Sequence, residues 1–168
     1  KFQDLYVLET PRFGKLLVLD GIFQTTERDE KYYHEPLVHG AIFSHPNPKT
    51  VLIIGGGDGG ILKQLVKHPV SSIDLVEIDK QVIDLTKKYM AGFAGGAWTD
   101  PRVRIHLEDG AKFVRKTKKK FDVIIIDSPD PVGPATSLFK TSFYLDCQKT
   151  LSPSGIIIRQ TGSTVLQP

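Results

Sequence analysis

The sequence predicts an α/β fold: a parallel sheet with helices on both faces, preceded by a small antiparallel sheet. Three observations carry this expectation. From Thr50 onward, short apolar runs alternate with helical patterns, as a covered parallel sheet requires. Residues 51–60, VLIIGGGDGG, run an aliphatic strand directly into a glycine turn, and such a run reads as a strand buried on both faces. Residues 2–26 instead hold strand-like runs separated by turn residues, including the hairpin signal Asp20-Gly21.

Taken in order, the first strands are expected at 2–8, 15–20 and 22–26, with a turn over 10–14. Three short strands are not stable by themselves, so they must pack on the main domain or on a partner chain. Asp29 is placed to cap a helix that runs to about Phe43, with Pro36 early enough for its missing N–H to matter little. His45-Pro46-Asn47-Pro48 ends that helix. Residues 1–28 are thus read as a β appendage and 29–168 as the main domain, the alternating pattern taking over after the 45–48 break. Within it, strands are expected at 51–54, 72–77, 103–107, 121–126 and 155–159. Helices are expected near 60–67, 80–89, 110–116 and 141–151, and 91–100 reads as a glycine-rich loop. In such sheets ligands bind at the carboxyl ends of the strands, where the strand order reverses.

The totals exclude several classes. A chain of 168 residues, 40% hydrophobic and 24% charged, suits one compact domain with a real core. The net charge of +3 is small and its visible basic cluster is local: Lys112, Arg115, Lys116, Lys118, Lys119 and Lys120. That cluster reads as a solvated helix end, because no aromatics are interleaved to stack bases. No apolar run approaches the ~20 residues of a membrane span. Neither a nucleic acid nor a membrane is therefore an expected partner. One cysteine, Cys147, excludes an internal disulfide and fits a reducing, cytoplasmic setting. The chain opens on Lys1 rather than Met, which leaves a preceding targeting segment open.

Chemistry concentrates just past the strands. Asp58 follows the first core strand, Glu77 and Asp79 the second, Glu108 and Asp109 the third, Asp127 and Asp130 the fourth. In a shared cleft these acids favour a cationic ligand and repel phosphates. Asp58, Asp79 and Asp109 have an equally simple reading as helix caps. Asp127 and Asp130 are harder to explain that way, because DSPDPVGP is too rich in proline to start a helix directly. Glu77, about 20 residues beyond the glycines, is placed to accept the two hydroxyls of a ribose. Gly55 and Gly57 would let a ligand approach the backbone. Because Asp58 occupies the turn where a pyrophosphate would sit, an adenosyl ligand is favoured over a dinucleotide.

The histidines do not have metal-ligand spacing: His34 and His39 are five apart, and His45, His68 and His106 are scattered. His34, inside the Tyr33-His34-Glu35 run, is the one retained as a site candidate. No serine stands in a hydrolase nucleophile setting, and Cys147 reads as core.

The segments LVLDGIFQTTERDEKYYHE, VLIIGGGDGG, VEID, LEDG and DSPDPVGPATSLF, in this order and spacing, resemble the spermidine synthase family of polyamine aminopropyltransferases. The likeness runs from about Gln3 to Gln160. It implies a Rossmann-like, methyltransferase-type domain that alkylates a diamine with decarboxylated S-adenosylmethionine, a co-substrate, with no cofactor and no metal. Asp127 resembles the family's general base. Gln3, Glu77, Asp109, Gly110 and Pro134 resemble positions that hold the adenosyl and thioether part. Tyr33, His34, Asp58, Asp127 and Asp130 resemble positions around the amines, and Gln24 is a weaker candidate. The resemblance further implies a homodimer or homotetramer, additional strands and helices beyond Pro168, and further strands ahead of Lys1. Pro129 departs from it, standing where the family more often has Ser or Thr.

The acidic pocket and this chemistry agree. An alkylammonium with a pKa near ~10 cannot attack until it loses a proton, and a nearby carboxylate can accept that proton. An anionic pocket also disfavours ordinary S-adenosylmethionine, whose carboxylate it repels. The acceptor stays open among putrescine, agmatine, cadaverine and spermidine, with putrescine the commonest in the family. Two other readings share the sheet: a methyltransferase using S-adenosylmethionine, and a non-catalytic module that binds nucleosides or polyamines.

Overall fold

The computed structural model describes residues 2–129 and 133–161. Strands β1 (Leu5–Thr10), β2 (Gly14–Leu19) and β3 (Ile22–Thr26) form the antiparallel sheet in that order. The β2–β3 turn follows from its two residues: Asp20 has φ 49° and Gly21 φ 78°, and a two-residue hairpin with both angles positive matches the twist of the strands. The sheet packs on the main domain. Leu17 and Leu19 bury themselves against Val82, Met90 and Phe93, while Tyr6, Leu8 and Phe23 are left exposed.

Helix α1 (Glu30–Phe43) starts where expected, but two details differ. Asp29 caps no helical N–H; its Oδ1 accepts from the Thr26 hydroxyl at 2.6 Å and the Thr26 amide at 3.1 Å. Pro36 lies in the second turn, past the unpaired first-turn donors, so it removes an intrahelical bond. Burial of Leu37, Val38, Ala41 and Ile42 offsets that loss.

The main sheet contains β4 (Thr50–Gly55), β5 (Ser72–Glu77), β6 (Val103–Leu107), β7 (Phe121–Asp127) and β8 (Leu151–Arg159). All pairings are parallel, in the order β6-β5-β4-β7-β8. Between them run α2 (Gly60–Leu65), α3 (Lys80–Tyr89), α4 (Gly110–Lys116) and α5 (Thr141–Thr150). Side-chain alternation sorts the core into two layers. Val51, Ile53, Ile73, Leu75, Val123 and Ile125 meet α1 and α2 on one face. Leu52, Ile54, Val76, Ile124 and Ile126 meet α4 and α5 on the other.

Three local expectations are corrected. Residues 91–100 are not an open loop: a 3-10 helix spans Gly95–Thr99, and Phe93, Ala94 and Ala97 are buried there. A second 3-10 helix, Gly133–Phe139, follows the DSPD segment. Strand β8 begins at Leu151 rather than 155, continuing straight from α5. The basic cluster is solvated as expected at Lys112, Arg115, Lys116, Lys118 and Lys120, while Lys119 is half-buried. Lys119 reaches the buried Asp74 and lies 2.7 Å from Ser72 Oγ, and Lys116 pairs with Glu108 at 2.6 Å. Cys147 is fully buried, and burial, aided by the nearby Asp146, pushes its thiol up to about 12. Among the described residues no helix is long and apolar enough to cross a membrane.

Candidate active site

The chain leaves β4 toward β5 on one side of the sheet and continues from β7 to β8 on the other, so the order reverses between β4 and β7. A cleft opens there because neighbouring connections diverge. Gly55 and Asp127 are partners in register at this point, and the Gly56 amide donates to the Asp127 carbonyl at 3.1 Å. A Cβ on Gly55 would overlap that carbonyl oxygen, and its φ of 85° is left-handed. Glycine is thus required for the two strand ends to meet.

A cavity of about 890 Å³ lies over this junction, roofed by the antiparallel sheet. It is lined by Gln3, Gln24, Tyr33, Gly55, Gly57, Asp58, Glu77, Asp109, Gly110 and Asp127, so most of the predicted residues converge. His34 does not line it; the ring is wholly buried behind Tyr33 and Asp58. Asp130 lies outside the described residues, as does the side chain of Pro134, whose backbone belongs to the 3-10 helix Gly133–Phe139. The seven acids past the strands divide. Asp79 caps α3 through Gln81 N at 2.9 Å, Glu108 is taken by Lys116, and neither reaches the cavity. Asp109 does both, accepting from Ala111 N at 2.7 Å and Lys112 N at 3.1 Å while lining the cavity.

Each acid in the cleft has its own electrostatic setting. Burial lifts the Asp127 carboxyl to about 7, and the Tyr33 hydroxyl donates to its Oδ1. Glu77 is likewise lifted to about 7 by burial, against amide donors that favour the anion, among them Asp79 N at 2.9 Å. Gly57 makes room for it: a Cβ there would stand 2.7 Å from Glu77 Oε2. Burial alone would raise the Asp58 pKa, but His34 and the Gly60 amide, 2.8 Å from Oδ1, outweigh it and hold it below the usual range. Burial alone would lower the His34 pKa, but Asp58 and Glu30 outweigh it and raise it above the ordinary value. Glycine is needed again at Gly60, where a Cβ would overlap the His34 ring.

One donor atom each from His34, Asp58 and Asp127 lies within 4.8 Å of the others, a grouping that spacing along the chain did not reveal. Both nitrogens of His34 face carboxylates, and a ring carrying a proton on each nitrogen would have no lone pair for a metal ion. The cluster fits an ammonium group, which asks only for oxygen acceptors.

Sequence reasoning missed several groups. Phe2, Phe13 and Phe23 of the N-terminal sheet line the cavity with Asp20, and Leu138, Ser128 and Pro129 line the β7 side. Glu30 was missed although its signal was present, four residues before His34 on a helix. Arg159 ties the β7 side together: it donates to the Leu138 carbonyl at 2.8 Å, bonds the Tyr144 hydroxyl, and lies 3.6 Å over the Phe139 ring.

Topology and site together define a Rossmann-like α/β domain that carries an anionic cleft at its topological switch point. The chain belongs to the spermine/spermidine synthase family, whose domain model matches residues 30–168. Residues 1–27 match the spermidine synthase tetramerisation domain. A polyamine aminopropyltransferase of Prochlorococcus marinus is 50% identical over 165 residues, covering 97% of this chain and 58% of that relative. One from Methanocaldococcus jannaschii is 48% identical, covering 96% of this chain and 55% of that relative. A crystal structure of a spermidine synthase in complex with the transition-state analogue AdoDATO superimposes with a TM-score of 0.91 at 46% identity, covering 95% of this chain and 55% of that one. The spermidine synthase of Thermotoga maritima gives 0.90 at 43% identity, covering 99% and 55%. The chain thus spans a little over half the length of these relatives.

Proposed function

We propose that the protein transfers the aminopropyl group of decarboxylated S-adenosylmethionine to a diamine, with putrescine as acceptor, giving spermidine and methylthioadenosine. The observation that carries this reading is Asp127: a carboxyl lifted to about 7 at the switch point, bonded by Tyr33 and close to Asp58. A base poised near neutrality can take a proton from an ammonium as attack begins. The amine nitrogen then directs its electron pair at the methylene next to the sulfonium. The carbon–sulfur bond breaks, its electrons stay on sulfur as a neutral thioether, and the proton remains on Asp127.

The surrounding residues are assigned by what they offer. Glu77, with Asp109, Gly110, Gln3 and Gly57, holds the adenosyl part of the co-substrate. Asp58 faces the amine, Tyr33 orients Asp127, and Gln24 closes the roof. Asp130 and Pro134 remain assigned to the acceptor and co-substrate on family resemblance alone. Holding two reactants in line supplies much of the acceleration in such a displacement.

The match of residues 1–27 to a tetramerisation domain, and the exposed Tyr6, Leu8 and Phe23 on that sheet, support a homo-oligomer built through it. Residues 1–28 would then be the assembly unit and 29–168 the transferase domain, in a cytoplasmic protein. The test is mass spectrometry of products formed from decarboxylated S-adenosylmethionine and a mixed panel of putrescine, agmatine, cadaverine and spermidine. Spermidine with equimolar methylthioadenosine is expected; methylated products with ordinary S-adenosylmethionine would contradict the reading.

A further inference from the structure

Behind the cavity wall, four side chains form a line from solvent to the site. Lys63 Nζ lies 3.1 Å from Glu30 Oε1, Glu30 Oε2 lies 2.8 Å from His34 Nδ1, and His34 Nε2 lies 3.4 Å from Asp58 Oδ2. His34 is 0% exposed and Glu30 7%. The Nε2 contact is an ion-pair distance rather than a formed hydrogen bond. A neutral imidazole can turn its one N–H toward only one of these carboxylates, whereas an imidazolium presents an N–H to each. The remaining groups against the ring add no positive charge: Tyr33 and Phe93 present ring edges, Gly60 supplies backbone, and Asp127 is a further carboxyl.

We propose that Glu30 and Lys63 are positioning residues of the amine subsite: Glu30 keeps His34 as an imidazolium paired to Asp58, and Lys63 tempers the negative charge that Glu30 applies. The four charges alternate in sign and sum to zero. Asp58 is thereby fixed in orientation without adding uncompensated negative charge beside Asp127. A buried ion pair needs such compensation, because removing one partner leaves an unpaired charge out of water. Neither Glu30 nor Lys63 lines the cavity, so both act through His34. What Asp58 faces rests on the aminopropyl-transfer reading; the state of His34 rests on ring geometry alone.

The test compares E30Q and K63M in the protein, reading His34 by NMR of labelled imidazole nitrogens and diamine turnover by steady-state kinetics. In E30Q, His34 loses its proton at lower pH and the diamine KM rises about tenfold, with kcat changed less, as expected when a charge-assisted bond behind the binding group is lost. In K63M the opposite spectroscopic shift is expected, because Glu30 then acts on His34 undiluted. A merely structural brace would move His34 in the same direction in both variants, or not at all, and either outcome overturns the proposal. If E30Q fails to fold, K63M decides, since Lys63 is 34% exposed: an unchanged or lowered His34 titration refutes the inference. Opposite shifts without any diamine turnover would keep the clamp and refute the transfer reading instead.

Discussion

Gly55 and Asp127 stand side by side in register at the ends of β4 and β7, so close that a Cβ on the glycine would overlap the aspartate's carbonyl oxygen. The glycine turn therefore sets where the base stands. Gly55→Ala must either push the strand ends apart or leave a left-handed φ of 85°. It is expected to destabilise the fold by about 2–4 kcal/mol and to cost activity beyond that loss. Denaturant unfolding beside turnover of the folded fraction measures both.

Tyr33 and Asp127 form a second coupled pair. A hydroxyl donating to a carboxylate favours the anion, so Tyr33→Phe should lift the Asp127 pKa further above about 7. The acid limb of the kcat/KM profile then moves to higher pH, and activity at neutral pH falls roughly tenfold. A profile identical to the parent's would show that Tyr33 does not tune the base.

Glu77 predicts an unusual pH dependence of stability. Its folded pKa of about 7 lies above the ordinary value of 4.5, so between these values the folded state binds more protons than the unfolded one. Stability from this group is full below about pH 4.5 and is lost as pH rises to about 7, on the order of 3 kcal/mol. Asp127 acts in the same direction. Asp122, lowered to about 2 with burial opposed by the Lys49 and Thr50 amides and Ser152, works oppositely: its contribution is lost as pH falls below about 4. Glu77→Gln should flatten the decline of the unliganded protein between pH 4.5 and 7, which unfolding midpoints across that range will read.

Gly57→Ala is expected to act chiefly on the co-substrate, with a smaller cost in stability because its Cβ would also stand 3.0 Å from the buried Val82 Cγ1. Its Cβ would stand 2.7 Å from Glu77 Oε2, so the carboxylate must swing away while the fold survives. The KM for decarboxylated S-adenosylmethionine should rise at least about tenfold, with the diamine KM changed far less.

Much of this was legible in the chain because it is written in local patterns. Aliphatic runs into Gly55–Gly56–Gly57 announce β4 and its turn, and the acids after each strand announce the cleft. Acid identity alone could not divide the set: Asp79 and Glu108 turn away because a helix amide and Lys116 claim them, contacts with no sequence signature of function. The burial of His34 depends on Gly60, 26 positions along the chain and in contact only after folding. The Arg159 tie and the Lys119–Asp74 pair are likewise tertiary. The 3-10 helix Gly95–Thr99 was hidden because its glycines suggest an open loop, whereas Phe93, Ala94 and Ala97 are buried around it.

The central claim is that Asp127 accepts the proton of the attacking amine. Single-turnover product formation by Asp127→Asn, from bound decarboxylated S-adenosylmethionine and putrescine across pH 6–9, tests it most directly. The rate should fall by at least about 10²-fold, with co-substrate affinity retained and the inflection near pH 7 abolished. A rate and pH profile equal to the parent's would contradict it.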